Sequence, residues 1–278
     1  MPCLTDSNVR AVDGGGAAVL PLQRALIAAA APPFAVEAVQ ETGSTNTDLL
    51  QRARQSQPVR PLLRAALRQS AGRGRLGRRW FAHAGDALLF SLAVPMTAAG
   101  ERIAAATLAC GVGVAERLRA AGAPVSVKWP NDLLLEGRKL GGVLCELAAD
   151  DGGRRTLVVG IGINLHLDTA TRDSIGQPAA ALDEAIAQRA SRESLIGSIA
   201  TGVLDALQLY DAQGFVPLQP RFMALFAQRN ALVDLLELGT RVASGRALGV
   251  DGEGRLLLET ADGLRACSSG ELSLRVAR

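Results

Sequence analysis

Only two of the thirty basic residues in this chain are lysine, Lys128 and Lys139, and both fall within residues 128–142, KWPNDLLLEGRKLGG. Arginine supplies the charge everywhere else. A lysine ammonium is a compact point charge on a flexible stem, whereas arginine presents a planar fork, so the two are not interchangeable at a chemical site. Compositional accident is the bland account of the pair. Their shared position beside an unusual pentapeptide favours chemistry. Lys128-Trp129-Pro130-Asn131-Asp132 joins a cation, an aromatic ring, a rigid turn, an amide and a carboxylate. Seven positions after Asp132, Lys139 opens KLGG, where Gly141 and Gly142 allow a ligand to approach the backbone closely.

A second cluster lies upstream. Gln69 to Trp80, QSAGRGRLGRRW, sets Arg73, Arg75, Arg78 and Arg79 among three glycines. Glycines expose backbone N–H groups in tight turns, and arginines grip carboxylate or phosphate through paired hydrogen bonds. The loop therefore suits a polyanionic ligand; an exposed arginine-rich linker is the alternative. Single-stranded nucleic acid would want aromatic platforms between the cations, and only Trp80 and Phe81 lie nearby. GRGRLG also fits the G-x-G-x-x-G dinucleotide pattern, but that fingerprint needs a helix directly after it, and the chain continues Arg78-Arg79-Trp80-Phe81 into a strand-like run. Two weaker signals complete the set. GSTN at 43–46 precedes a helical pattern, with Thr45 and Asp48 at capping-box spacing. In VVGIGINL, 158–165, Gly160 and Gly162 interrupt an apolar strand that ends at Asn164, as where a ligand lies on the backbone or a bulge forms.

The elements that must carry these groups read as α+β. A helix covers about 20–30 and stops at Pro32-Pro33, followed by an extended segment at Phe34–Val39 and the helix after GSTN. Strands follow at 62–68 and Asp86–Val94. Next comes a helix from about Glu101 to Ala121, with Ile103, Leu108, Ala115 and Leu118 on its apolar face and Gly122 just past its end. Extended segments are expected at Val125–Trp129, Gly142–Leu147 and Leu157–Leu165, and an Ala-rich helical region over about 179–229, broken near Gly214–Pro220. From Ala231 short alternating runs with turns at Asp251-Gly252 and Asp262-Gly263 read as a small β-barrel. No regular βαβ repeat is present, so a Rossmann sheet is not expected. The expected division is a short N-terminal segment 1–35, ending its first part in a Gly14–Gly16 triplet and poorly ordered, a catalytic domain 36–229, and a C-terminal β-barrel domain 230–278.

Composition narrows the function classes. A net charge of +3 is too mild to imply nucleic-acid binding by itself. Cys3, Cys110, Cys145 and Cys267 are far apart and form no C-x-x-C pair, and His83 and His166 are the only histidines. A zinc site or a Ser-His-Asp triad is not expected, whereas carboxylate-bound magnesium stays open. Reduced thiols and the absence of a membrane-length apolar run or a clean signal peptide point to the cytoplasm.

Taken in order, GSTN, QSAGRGRLGRRW, KWPNDLLL, GRKLGG and GIGIN, followed by GVDGEGRLLLE and GELSLR, resemble the biotin–protein ligase family over about residues 40–275. The resemblance implies a class II synthetase-like catalytic fold with an SH3-like C-terminal barrel. It implies ATP with Mg2+, biotin as substrate, and two steps: formation of biotinyl-AMP, then transfer of biotin to a lysine of a biotin carboxyl carrier protein or domain, that of acetyl-CoA carboxylase foremost. Residue by residue, Ser44, Thr45, Asn46, Gln69, Arg73, Gly74, Arg75, Lys139, Gly142 and Gly160 match the biotin side. Arg75, Arg78, Trp80, Asn131, Lys139 and Asn164 match the ATP side. Lys139, Arg75 and Asp132 are the candidate catalytic residues. Asp132 would orient or deprotonate the acceptor lysine, with a purely turn-stabilising role the equal alternative.

Two departures stand out. Ala82-His83 replaces the family's Ser-Pro-like turn, and the segment before the catalytic region supplies no helix-turn-helix, so DNA binding is not expected. Exposed strand edges leave a homodimer open. The competing functions are a lipoate–protein ligase or octanoyl transferase, which share the fold and a central lysine, and a non-catalytic biotin- or nucleotide-responsive regulator.

Overall fold

The computed structural model describes residues 11–12, 18–97, 103–186, 190–269 and 272–276. The Gly14–Gly16 triplet, most of the expected disordered N-terminal stretch and the start expected for the helix at 101 lie outside the described residues.

Two-residue strands β1 (Ala11–Val12) and β2 (Ala18–Val19) pair with each other and lead to α1 (Arg24–Ala30). Then come β3 (Ala35–Thr42), α2 (Thr45–Gln55), β4 (Leu62–Gln69), β5 (Ala87–Met96) and α3 (Ile103–Ala120). Four strands follow, β6 (Val125–Lys128), β7 (Asp132–Leu135), β8 (Arg138–Ala149) and β9 (Arg155–Asn164). Helices α4 (Thr169–Ser174), α5 (Arg192–Gln213) and α6 (Gln219–Leu225) lead to β10 (Leu232–Glu237), β11 (Thr240–Val250), β12 (Leu256–Thr260), β13 (Gly263–Cys267) and β14 (Leu272–Val276).

A seven-stranded sheet runs β3-β4-β5-β9-β8-β7-β6, antiparallel except for the parallel pair β3–β4. Helices cover both of its faces. Leu49, Leu50 and Ala53 of α2 close one side against Ala93, Ala148 and Val158, and α3 and α5 with α1 build the larger core on the other. This double cover explains why β5 is a continuous apolar run rather than an alternating one. Helix α3 is buried on nearly all sides from Ala105 to Ala115, not along a single stripe, and Ile103 is only half-buried. Its small residues permit that: a Cβ on Gly113 would lie 2.5 Å from the Gly202 carbonyl oxygen of α5, so the two helix backbones nearly touch.

The C-terminal strands form a separate antiparallel sheet, β13-β12-β11-β10-β14. Its apolar face, including Val233, Ala247, Leu256 and Leu258, joins the same core as the larger sheet. Trp129, fully buried, donates from Nε1 to the Gly254 carbonyl 3.3 Å away and so ties this sheet to the lysine-bearing stretch.

Three sequence expectations change. Residues 132–135, given no strand between the expected segments 125–129 and 142–147, form β7, and a hairpin with positive φ at Glu136 and Gly137 joins it to a β8 that starts before Gly142. Among the described residues, the Ala-rich segment from 179 shows only a short 3-10 turn at Leu182–Glu184 before α5 starts at Arg192. Instead Pro178 to Ala180 runs beside Lys139, with Lys139 N donating to Pro178 O and Ala180 N donating to Lys139 O, both at 2.9 Å. Strand-like pairing outweighs alanine's helix preference there. The cap of α2 is Ser44, not Thr45, with its hydroxyl accepting from Thr47 N. Asp48 turns outward instead, accepting from Arg64 and from Thr42 Oγ1, each at 2.7 Å.

Candidate active site

A cavity of about 550 Å³ opens over the middle of the large sheet, and every residue expected at the site stands on its wall. The expected residues come from five separate segments: the start of α2, the loop after β4, the β6–β7 turn, and strands β8 and β9.

The start of α2 forms the inner end. Ser44, Thr45 and Asn46 are buried, with at most 4% of each exposed. Thr45 donates to Gln69 Oε1 from its backbone N at 2.7 Å and from Oγ1 at 3.1 Å, and its hydroxyl lies 2.7 Å from Ser91 Oγ. Asn46 Nδ2 donates to Glu146 Oε2 at 2.8 Å, and the same carboxylate accepts from Arg73 Nη2. Asn46 Oδ1, by contrast, is buried without a protein partner.

The arginine loop is a small hairpin rather than a loose linker. Trp80 N donates to Gly72 O, Gly74 N donates to Arg78 O, and Leu76 and Gly77 turn the tip with φ of 57° and 70°. No helix follows it, so the dinucleotide pattern at GRGRLG has no phosphate-binding helix to serve. Arg75 reaches across the mouth, donating to Asn131 Oδ1 at 3.3 Å and to the Ser269 carbonyl at 3.1 Å. Burial pulls the Arg75 guanidinium below its ordinary value; Asp132 opposes that and Arg78 adds to it.

The lysines converge on one carboxylate. Lys139 Nζ donates to Asp132 Oδ1 at 2.7 Å, and Lys128 Nζ lies 3.9 Å from Oδ2. The β7–β8 hairpin produces this contact: Asp132 pairs with Gly142 and Leu134 with Lys139, and an irregularity between those pairs admits one extra residue, Leu140, which is buried. Lys128 is pulled down by burial, by Lys139, Arg275 and Arg78, against the pull of Asp132. With Arg73, Arg75, Arg78, Arg79, Lys128, Lys139 and Arg275 on the wall and Asp132 as its one carboxylate among the described residues, the cavity favours anions.

The strand glycines are points of close packing. A Cβ at Gly160 would lie 2.6 Å from Asn46 Oδ1, and one at Gly162 would lie 2.8 Å from Trp80 Cε2. Both therefore make room for protein side chains that themselves face the cavity. The Trp80 indole lies on the backbone at Gly162, its Nε1 buried and unpartnered by protein. A buried donor and a buried acceptor left unpaired are uncommon in folded proteins, and a cavity is where a ligand can satisfy them. Asn164 Nδ2 donates to Ala180 O at 3.1 Å, fastening the segment that carries Gln177 and Ala179 to the wall.

Sequence reasoning missed part of the wall. Ser91, a polar residue inside DALLFSLAV, was the one legible clue; Leu274 and Arg275 arrive from the C-terminal sheet, and Thr171 to Ala179 from the stretch read only as connection or helix.

Residues 38–164 match the biotin/lipoate A/B protein ligase family, and residues 233–275 match the biotin protein ligase C terminal domain. The chain is 33% identical over 267 residues to the bifunctional ligase/repressor BirA of Escherichia coli K12, covering 96% of this chain and 76% of that one. It is 32% identical to the biotin–[acetyl-CoA-carboxylase] ligase of Mycobacterium tuberculosis, over 85% of this chain and 88% of the other. Among solved structures, the biotin protein ligase of Aquifex aeolicus in complex with biotin and ATP superimposes with a TM-score of 0.74 at 28% identity, covering 87% of this chain and 99% of that chain.

Proposed function

The chain belongs to the biotin/lipoate A/B protein ligase family, and we propose that it works as an ATP-dependent biotin–protein ligase with the lysine-flanked cavity as its reaction chamber. The observation that carries the reading is the meeting of Lys139, Arg75 and Asp132 within one cationic cavity, together with the residues that match the family's biotin and nucleotide sides.

The first step joins two anions. The biotin carboxylate attacks the α-phosphorus of ATP, the bond to the β-phosphate breaks, and pyrophosphate leaves. Negative charge builds on the phosphoryl oxygens, and fixed cations aimed at them lower the barrier. Lys139 is the cation best placed between the two halves of the cavity, with Arg75 across the mouth and Arg78 on the nucleotide side. Ser44, Thr45, Asn46, Gln69, Arg73, Gly74, Gly142 and Gly160 would hold biotin, and Trp80, Asn131 and Asn164 the adenylate. In the second step the amine of an acceptor lysine attacks the acyl carbon and AMP departs. Asp132 Oδ1 is engaged by Lys139, so Oδ2 is the atom left to orient or take a proton from that amine. Mg2+ would enter with the nucleotide as substrate, because a single carboxylate plus phosphate oxygens is how this ion is commonly held.

The carrier protein of acetyl-CoA carboxylase is the proposed acceptor, in keeping with the name of the Mycobacterium tuberculosis relative. The division at 36–229 and 230–278, and closure of the C-terminal sheet into an SH3-like barrel, belong to the same proposal; the two separate sheets support it. A homodimer would use the outer edge of β3, and sedimentation equilibrium tests it. Three free thiols among the described residues suit a reducing cytoplasm. Incubating purified protein and carrier domain with ATP and either biotin or lipoate tests the activity. Transfer of biotin is expected; transfer of lipoate alone overturns the substrate assignment, and no adenylation of either acid overturns the reading.

A further inference from the structure

Two thiols face each other beneath the arginine hairpin. Cys110 of α3 is fully buried, and its sulfur lies 3.9 Å from that of Cys145 in β8. Both are free. Cys145 is half-buried and lines a second cavity together with Arg73, Arg75, Thr107 and Glu146. A small solute can therefore reach Cys145, while Cys110 is fully buried behind the cavity wall. A disulfide requires the sulfurs to stand about 2 Å apart, so the pair must close by about 1.9 Å, within reach of side-chain rotation and a slight movement of β8 toward α3. The position matters because of its two neighbours in the strand. Leu144 O accepts from Asn46 Nδ2 at 3.4 Å, and the Glu146 carboxylate holds both Asn46 and Arg73.

We propose that Cys110 and Cys145 form a redox modification site, oxidised by a low-molecular-weight disulfide to a protein disulfide that draws β8 away from Asn46 and Arg73 and weakens the cavity's inner end. The Cys145 thiolate attacks one sulfur of the small disulfide, giving a mixed disulfide and one released thiolate. The Cys110 thiolate then attacks the Cys145 sulfur, forming the Cys110–Cys145 bond and releasing the second. The protein pair loses two electrons and two protons, and the small disulfide becomes two thiols. Burial, and Cys145 beside it, push the Cys110 thiol well up, which makes it the second and slower nucleophile.

The effect on labelling rests on the ligase reading; the chemistry of the thiols does not. Oxidised glutathione is the probe, applied to the full chain, with alkylation and peptide mapping as the readout. The expected result is a linked Cys110–Cys145 peptide in the unmodified chain and a persistent glutathione adduct on Cys145 in Cys110→Ala. Carrier labelling at subsaturating biotin should fall about fivefold or more on oxidation, the factor expected for loss of one hydrogen bond's net contribution. Dithiothreitol should restore it, and Cys145→Ser should be insensitive. Alkylation of both thiols after oxidation, or a glutathione adduct that never resolves, overturns the site. A linked peptide with unchanged labelling overturns its coupling to the cavity. If the reduced protein labels nothing, the ligase reading fails, while the linked peptide still decides the thiol chemistry.

Discussion

Replacing Lys139 with alanine removes the cation that sits 2.7 Å from Asp132 and leaves Arg75, Arg78 and Lys128 in the cavity. Loss of one charge-stabilising donor aimed at a transition state costs about 3 kcal/mol. At 1.36 kcal/mol per decade, that is roughly a 150-fold slower adenylation step. The remaining cations keep the cavity attractive to ATP, so the loss should fall mainly on turnover and much less on nucleotide binding. Stability should change little. Asp132 is not left alone, because Lys128 lies 3.9 Å away on its other oxygen. A cost of about 1 kcal/mol for the lost hydrogen bond corresponds to a Tm lower by roughly 2–4 °C. Biotin-dependent exchange of labelled pyrophosphate into ATP isolates the first step, and a thermal melt controls for folding. Lys139→Arg should recover little, since a planar fork does not place its charge where the ammonium sits. Exchange within a few-fold of the unsubstituted chain would remove Lys139 from the chemistry. A loss confined to KM would make it a ground-state binding residue instead.

Other substitutions separate the remaining roles. Asp132→Asn should lower transfer to the carrier on the order of 100-fold while pyrophosphate exchange falls far less, if Oδ2 takes the amine proton; equal losses in both assays would reduce Asp132 to charge balance for the lysines. Gly162→Ala places a Cβ 2.8 Å from the Trp80 ring, and overpacking of about 1–3 kcal/mol should raise KM for ATP about tenfold with KM for biotin unchanged, as read by exchange kinetics. Arg275→Ala should also raise KM for ATP, because it removes the C-terminal sheet's cation from the wall; an unchanged value would confine that sheet to a structural role. Glu184 gives an acid-stability prediction. Burial would raise its carboxyl, but Arg172, the Ala181 N–H and Arg138 outweigh that and lower it from 4.5 to about 2. Its contribution is therefore complete above pH 4.5 and is lost as pH falls toward 2, and Glu184→Gln should flatten the melting-temperature profile across that window.

Many of the residues that line the cavity stand out in the sequence, because their types are rare or unusually grouped here. Two lysines in one stretch, arginines among glycines, and polar residues ending apolar strands are local signals. Each of these residues reached the cavity wall. Strands β4, β5 and β9 were legible for a similar reason: apolar runs of the right length bounded by polar residues. The hairpin of β7 and β8 was legible only from Gly142 onward, since residues 132–135 and 138–141 become strand by pairing with each other. The helical region expected over 179–229 holds for α5 and α6, but at Ala179–Ala181 alanine's local preference is weak beside two backbone hydrogen bonds that Pro178 and Ala180 make to Lys139.

The sequence alone determined which groups could act: a scarce cation, a polyanion-binding loop and a carboxylate seven residues from the lysine. Only the tertiary structure decided who stands next to whom. Asp132 meets both lysines because of an irregular strand register, and Gly160 and Gly162 leave room for Asn46 and Trp80. Glu146 emerges as the anchor of two expected site residues, and Arg275 enters from a different sheet. The physical reason is the same in each case. Residue type is a property of one position, whereas register, close packing and charge balance are properties of pairs that the chain brings together only on folding.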